Sequence, residues 1–200
     1  MRQAAALLAA GLLALAGGAA AAPDATRGKA LAEARNCGAC HGADGVSQTA
    51  GVPSLAAMPG QVVVLQLILM REKLRPVPAM APFAEGLTDA EIEDLGAWFE
   101  SLPPGLPADR APANAARLAA GAALSEKGRC GVCHLPDYRG RDQMPRLAGQ
   151  REDYLLQALT QYRDGQRIGT DTQMTGLLHG YGDADLAALA HYMAHREGGR

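Results

Sequence analysis

Two pentapeptides, Cys37-Gly38-Ala39-Cys40-His41 and Cys130-Gly131-Val132-Cys133-His134, follow one pattern and use all four cysteines of the chain. C-x-x-C-H is the attachment sequence of a c-type haem. Its two thiols can form thioethers to the two vinyl groups of one porphyrin, and the adjoining histidine is then held against one face of the iron. Structural zinc needs four ligands, and its cysteine pairs are not each followed by histidine. A thioredoxin-like redox pair belongs beside a βαβ pattern, and no strand-rich segment occurs here. A disulfide across two intervening residues would leave His41 and His134 unexplained. The motifs therefore predict two covalently bound haem c groups, on Cys37 and Cys40 and on Cys130 and Cys133, with His41 and His134 as proximal iron ligands.

The surroundings of the two motifs repeat as well. Gly28 and Gly121 each precede the first cysteine by nine residues, and Cys37 and Cys130 lie 93 apart. Pro53-Ser54-Leu55 matches Pro145-Arg146-Leu147, and Arg71 and Arg75 match Arg163 and Arg167, all at a shift of 92. Met80 and Met174, Asp89 and Asp183, Leu95 and Leu189, and Trp98 and Tyr192 correspond at a shift of 94. Between the copies, residues 103–113 carry four prolines, which forbid a helix and favour an extended connector. The expected organisation is a domain over 22–102, the proline-rich linker over 103–113 and a second domain over 114–200.

The first 21 residues read as a cleaved secretory signal peptide. Arg2 is followed by the uncharged Ala/Leu run 4–16, and Ala19-Ala20-Ala21 offers small residues for cleavage. This agrees with the motifs, because c-type haem is attached outside the cytoplasm, so the mature protein is expected in the periplasm without an integral membrane span. Formal charge is −2, from 19 basic and 21 acidic side chains, which excludes a polybasic nucleic-acid binder. The charge is uneven: residues 22–105 hold six basic and ten acidic side chains, residues 106–200 twelve and eleven.

The coarse pattern is all-α. Thr26 is placed to cap a helix over 27–35, with its counterpart over 115–127. Middle helices are expected over 61–73 and 150–163, and each copy closes with an amphipathic helix. The first closing helix opens on a capping box, Thr88 with Glu91; the second starts at Gly182-Asp183. Gly28 and Gly121 sit inside helices, where glycine costs about 1 kcal/mol against alanine. Close crossing against Trp98 and Tyr192 would justify that cost.

The group opposite each proximal histidine decides the chemistry: a thioether raises the potential and blocks substrate, a second histidine lowers it, and an open face admits peroxide or oxygen. In the first copy Met70 reads as core, and Met58 lies in a segment that reads as an insertion relative to the second copy. Met80 sits on a loop held by prolines. In the second copy Met144 lies near the proximal side, Met193 on the closing helix and Met174 on a loop at the position equivalent to Met80. Met80 and Met174 are the expected sixth ligands. His179 is the rival of Met174, while His179, His191 and His195 read as neutral surface histidines.

Each half resembles a class I cytochrome c, with its glycine-bearing first helix, C-x-x-C-H, later proline, loop methionine and closing helix with an aromatic. The joined pair resembles the dihaem cytochrome c4 family of bacterial periplasms. The second half adds Leu147-Ala148-Gly149-Gln150, Tyr154-Leu155-Leu156-Gln157 and Tyr162-Arg163-Asp164-Gly165-Gln166-Arg167 to that likeness. The resemblance implies electron transfer between respiratory redox partners, such as a quinol-oxidising complex and a terminal oxidase, without catalysis by the chain itself. It implies that the carbonyls of Pro53 and Pro145 steady the proximal imidazoles, and that Arg163 and Arg167 neutralise haem propionates, with Arg71 and Arg75 as weaker counterparts. Val62 and Met70 replace Tyr154 and Tyr162 in the first half, so the two haem environments should differ. That departure makes a dedicated partner credible, with the chain as the electron-accepting subunit of a periplasmic dehydrogenase; a dihaem peroxidase with one open or displaceable iron face is a separate alternative.

Overall fold

The computed structural model describes residues 22–167 and 172–199, and within them the chain is helical, with a single isolated bridge between Arg141 and Met144. The expected signal peptide lies outside the described residues. The first half contains α1 (Ala25–Ala34), α2 (Gly38–His41), α3 (Gly60–Arg71), α4 (Ala81–Ala84) and α5 (Asp89–Ser101). The second repeats them as α6 (Ala115–Lys127), α7 (Cys130–His134), α8 (Glu152–Arg163), α9 (Thr172–Leu178) and α10 (Asp183–Ala194). In each half the closing helix packs on the first and on the middle helix. None of the described helices is long and apolar enough to cross a membrane.

The crossing of first and closing helices depends on the glycines. A Cβ on Gly28 would lie 1.9 Å from the Asp94 carbonyl oxygen and 2.8 Å from the Cβ of Trp98. One on Gly121 would lie 2.2 Å from the Ala188 carbonyl oxygen and 2.5 Å from the Cβ of Tyr192. Both helices bring backbone against backbone there, which offsets the helical penalty of glycine. The valine run of α3 is helical for a similar reason: Val62 and Val63 are buried against Ile92, Leu95 and Phe99, and packing overrides the modest β-branched penalty.

The cap of α1 differs from expectation. Asp24, not Thr26, accepts the amides of Thr26 and Arg27, at 2.7 and 2.8 Å, because a carboxylate satisfies two free N–H groups at the positive end of the helix. The capping box at Thr88 and Glu91 forms as expected, and the Gly182 amide donates to Asp185 at 3.0 Å.

The expected insertion around Met58 is absent. α3 and α8 have equal length at a shift of 92, so residues 57–59 align with 149–151. Ala57 (φ 54°) takes the left-handed conformation of Gly149 (φ 70°). Its amide donates to Phe99 O, as that of Gly149 donates to Met193 O, at 3.0 and 3.2 Å. Alanine tolerates this conformation at a modest cost, which disguised the equivalence in the sequence.

His191 is not a surface residue: it is 1% exposed. Its Nε2 accepts the Asn114 amide at 3.0 Å, and its Nδ1–H donates to Glu152 at 2.9 Å, tying α10 to the start of α6 and to α8. Ligating atoms of Glu152, His191 and His195 lie within 4.8 Å of one another. The Asn114 amide nevertheless occupies one ring nitrogen of His191 and fixes the proton on the other, so the trio works as a hydrogen-bond junction rather than a metal site. Asp94 plays the matching part in the first half. It accepts the Asp24 amide at 2.7 Å and a bidentate pair from Arg27 at 2.7 and 2.8 Å.

The linker runs without regular structure from 103 to 114 and is fastened along its length. Ala108 N–H donates to Gln48 of the first half at 2.9 Å. Asp109 receives both guanidinium nitrogens of Arg151, at 2.8 and 3.0 Å, and the Ala111 carbonyl faces His195 Nε2 at 3.1 Å. Proline limits its freedom, and these contacts limit it further.

Gly28→Ala and Gly121→Ala should each lose at least ~2 kcal/mol in urea unfolding, because the clash is with backbone that cannot yield. Arg27 holds the Asp94 carboxyl below its ordinary value, so its contribution is complete above about pH 4, the unfolded carboxyl value, and is lost as pH falls through the lower folded value. In unfolding curves measured from pH 7 to pH 2, Asp94→Asn should be less stable than the wild type at neutral pH. The difference should close in acid.

Candidate functional site

The first C-x-x-C-H sequence runs from the cap residue Cys37 through α2 and the second makes up all of α7; each is entered through a left-handed residue, Asn36 (φ 54°) or Arg129 (φ 53°). None of the four cysteines is in a disulfide, so all four are available for thioether bonds. Cys37 and Cys130 are half-buried against the apolar clusters of their halves, while Cys40 and Cys133 are exposed. Burial pushes the Cys37 thiol up from its ordinary value, which is the reverse of a reactive low-pKa thiolate.

Both motif histidines are buried, at 7% exposure for His41 and 5% for His134. Each uses Nδ1–H to donate to a proline carbonyl: His41 to Pro53 at 2.8 Å, His134 to Pro145 at 2.9 Å. That bond puts the proton on Nδ1 and the free lone pair on Nε2, the atom an iron would take. Burial pushes both imidazoles down, against the proline bonds, which keeps them neutral at pH 7. Two thiols and one neutral, oriented imidazole form a donor set that fits covalent haem in each half.

Met80 is half-buried at the start of α4 and packs against the first apolar cluster. Met174 is half-buried on α9, against Leu178, Leu186 and Leu189. Met80 precedes α4, in the turn that follows Pro76 and Pro78, whereas Met174 lies on a helix and not on the loop expected of it. α4 and the last turn of α9 correspond at a shift of 94. Pro76 and Pro78 hold the helix back in the first copy, and their absence lets α9 begin a turn earlier. Residues 168–171, ahead of Met174, lie outside the described residues. Met58 and Met193 are buried within the two cores, and His179 is exposed.

Arg163 stands elsewhere than expected. It bonds Asp164 at 2.8 Å and Asp183 at 2.6 Å, just as Arg71 bonds Glu72 and Asp89, both at 2.8 Å. These guanidiniums are neutralised by carboxylates and clamp the middle helix to the start of the closing one. Arg167 differs: it stacks on Tyr162 at 4.9 Å and donates to the Tyr154 hydroxyl at 3.0 Å. Arg75 reaches the same phenol from the first half while donating to Gln66 at 2.7 Å. Burial alone would raise Tyr154, but the two guanidiniums outweigh it and hold the phenol below its ordinary value. Tyr154 thus serves Arg75 of the first half, where Val62 stands at the equivalent position.

A second connection between the halves was not legible in the sequence. Gln150, 5% exposed, accepts the Ser54 amide and donates to the Ser54 carbonyl, both at 2.8 Å. Arg151 donates to the Ser47 carbonyl at 3.3 Å, and the Gly51 amide donates to Asp153 at 3.1 Å. The only available hint was the position of Gln150 at the end of Leu147-Ala148-Gly149-Gln150.

Comparison with known proteins agrees with this geometry. Residues 118–197 match the profile of the family described as Cytochrome c, and residues 23–99 that of Cytochrome C oxidase, cbb3-type, subunit III. Cytochrome c4 of Pseudomonas aeruginosa is 32% identical over 90% of this chain and 92% of its own. The thiosulfate dehydrogenase electron acceptor of Stutzerimonas stutzeri is 33% identical over 84% of this chain and 82% of its own. The structure of reduced cytochrome c4 from Pseudomonas stutzeri superposes with a TM-score of 0.80 at 28% identity, covering 88% of this chain and all of that one. Thiosulfate dehydrogenase TsdBA from Marichromatium purpuratum gives 0.72 at 32% identity, covering 86% of this chain and 40% of that one. With two cytochrome c domains and two covalent haem c groups, the chain is a dihaem electron-transfer protein and belongs to the cytochrome c4 family.

Proposed function

We propose that the chain is a periplasmic single-electron carrier with domains over 22–102 and 114–200. Cys37, Cys40, His41 and Met80 would hold one haem, and Cys130, Cys133, His134 and Met174 the other. The observation that carries this reading is the repeated bond from a buried Nδ1–H to a proline carbonyl, at Pro53 and at Pro145. When bound, haem supplies a one-electron ferric–ferrous couple. The chain's own task is to hold ligands still and keep water away, since little reorganisation means fast transfer. Pro53 and Pro145 fix ring orientation, and the apolar clusters behind Met80 and Met174 keep the opposite side dry. With Met80 and Met174 as ligands, neither site would leave a position for peroxide.

The likeness to two thiosulfate dehydrogenase electron acceptors, each 33% identical, supports a narrower role as the accepting partner of a periplasmic dehydrogenase. The acidic first half and nearly neutral second half would orient such an encounter with a charged partner.

Optical and magnetic spectra of the oxidised holoprotein test the ligands. Met80→Ala and Met174→Ala should each remove about half of the thioether-to-iron absorption and lower one of the two potentials. An intact band in either variant refutes that methionine as ligand. Ready binding of carbon monoxide by the reduced wild-type protein would favour the peroxidase alternative.

A further inference from the structure

The two proximal sites share their inner geometry but not their support. In the first, Pro53 is followed by Ser54, whose amide and carbonyl are both taken by the side chain of Gln150 from the other domain. The Gln150 carboxamide also accepts the Arg151 amide at 2.9 Å, so it cannot turn without breaking several bonds. Ser54 Oγ in turn accepts the Ser47 amide at 3.1 Å, and the Ser47 hydroxyl donates to the Cys40 carbonyl at 2.9 Å. Ser47 is fully buried and Ser54 6% exposed. A continuous dry path of hydrogen bonds therefore runs from Gln150 to both sides of the first C-x-x-C-H helix: to the carbonyl of Cys40, and to the Pro53–Ser54 peptide, whose own carbonyl holds His41.

Among the described residues, the second site has no such path from the first domain. Arg146 occupies the position of Ser54 and spends its guanidinium on the carbonyls of Ala148, Gly198 and Gly199, within its own half. Met58 occupies the position of Gln150 and is buried in its own core. The support is one-way.

We propose that Gln150 is a positioning residue for the first haem. By gripping Ser54 it sets the Pro53 carbonyl against His41, so the potential of the first haem depends on docking of the second domain, while that of the second haem is set within its own half. This rests on His41 being an iron ligand, as proposed above. A firm bond from Nδ1–H makes the imidazole a stronger donor to iron and lowers the potential; a loosened one raises it.

The test uses the holoprotein and Gln150→Ala, with Gln150→Met, the residue at the equivalent position 58, as a change that keeps the volume but loses the carboxamide. Asp109→Asn is the control: it weakens the fastening of Arg151 to the linker without touching Ser54. The paramagnetically shifted ring signals of His41 and His134 assign each midpoint to its haem in a redox titration. Gln150→Ala should raise the first midpoint and leave the second in place. Gln150→Met should give a comparable rise, and Asp109→Asn none. Exchange of the Ser54 amide should quicken on the order of tenfold in Gln150→Ala. Unchanged midpoints in either Gln150 variant, equal movement of both, or an equal rise in Asp109→Asn would overturn the proposal while leaving the ligand assignment intact. Absence of a paramagnetic shift on His41 would remove the ligand assignment itself, and the proposal with it.

Discussion

Everything in each half hangs on one backbone contact, the place where the first helix meets the closing helix without a side chain between them. Gly28 against the Asp94 carbonyl and Gly121 against the Ala188 carbonyl allow an approach that any Cβ would block. Once α1 and α5, or α6 and α10, are crossed, the middle helix has a face to pack on. The short C-x-x-C-H helix, joined directly to the first helix, is thereby carried to a fixed place beside the core. The polar junctions at the helix starts reinforce the crossing with different chemistry in the two halves: Asp94 accepts the amide of Asp24, and His191 accepts that of Asn114. Duplication preserved the geometry and let the side chains drift.

The same division between preserved geometry and divergent support governs the proximal sites. The bond from imidazole to proline carbonyl is nearly identical in length in the two halves. What stands behind the proline is not. The second half closes on itself through Arg146, whereas the first is completed from outside by Gln150. The Arg75 side chain behaves likewise, finding in Tyr154 the phenol its own half lacks. The first domain borrows from the second, which is a physical basis for two different haem environments in one repeated fold.

Much of this was legible in the chain. Helix positions follow from capping residues and apolar spacing, and α6 spans the residues expected of it. Gly28 and Gly121 announced the crossings because a mid-helix glycine needs a reason. The errors have physical causes. Ala57 hid its equivalence to Gly149 because a left-handed conformation is written into glycine but not into alanine. Arg163 looked like a cation for an anionic group, and the acids that engage it, Asp164 and Asp183, could only be matched to it once the helices were placed. His191 carried no mark of burial in the sequence, since a histidine becomes core only when both ring nitrogens find partners.

The sequence by itself determined the cofactor, its number and the repeated helical frame, because covalent attachment and close helix crossing each demand particular residues at short, fixed spacings. Tertiary structure decided what joins the halves and how they differ. The contact between Gln150 and Ser54 spans 96 positions. A glutamine there is chemically unremarkable until the fold buries it and turns its carboxamide to backbone groups: the Arg151 amide beside it, and the amide and carbonyl of Ser54 in the other domain.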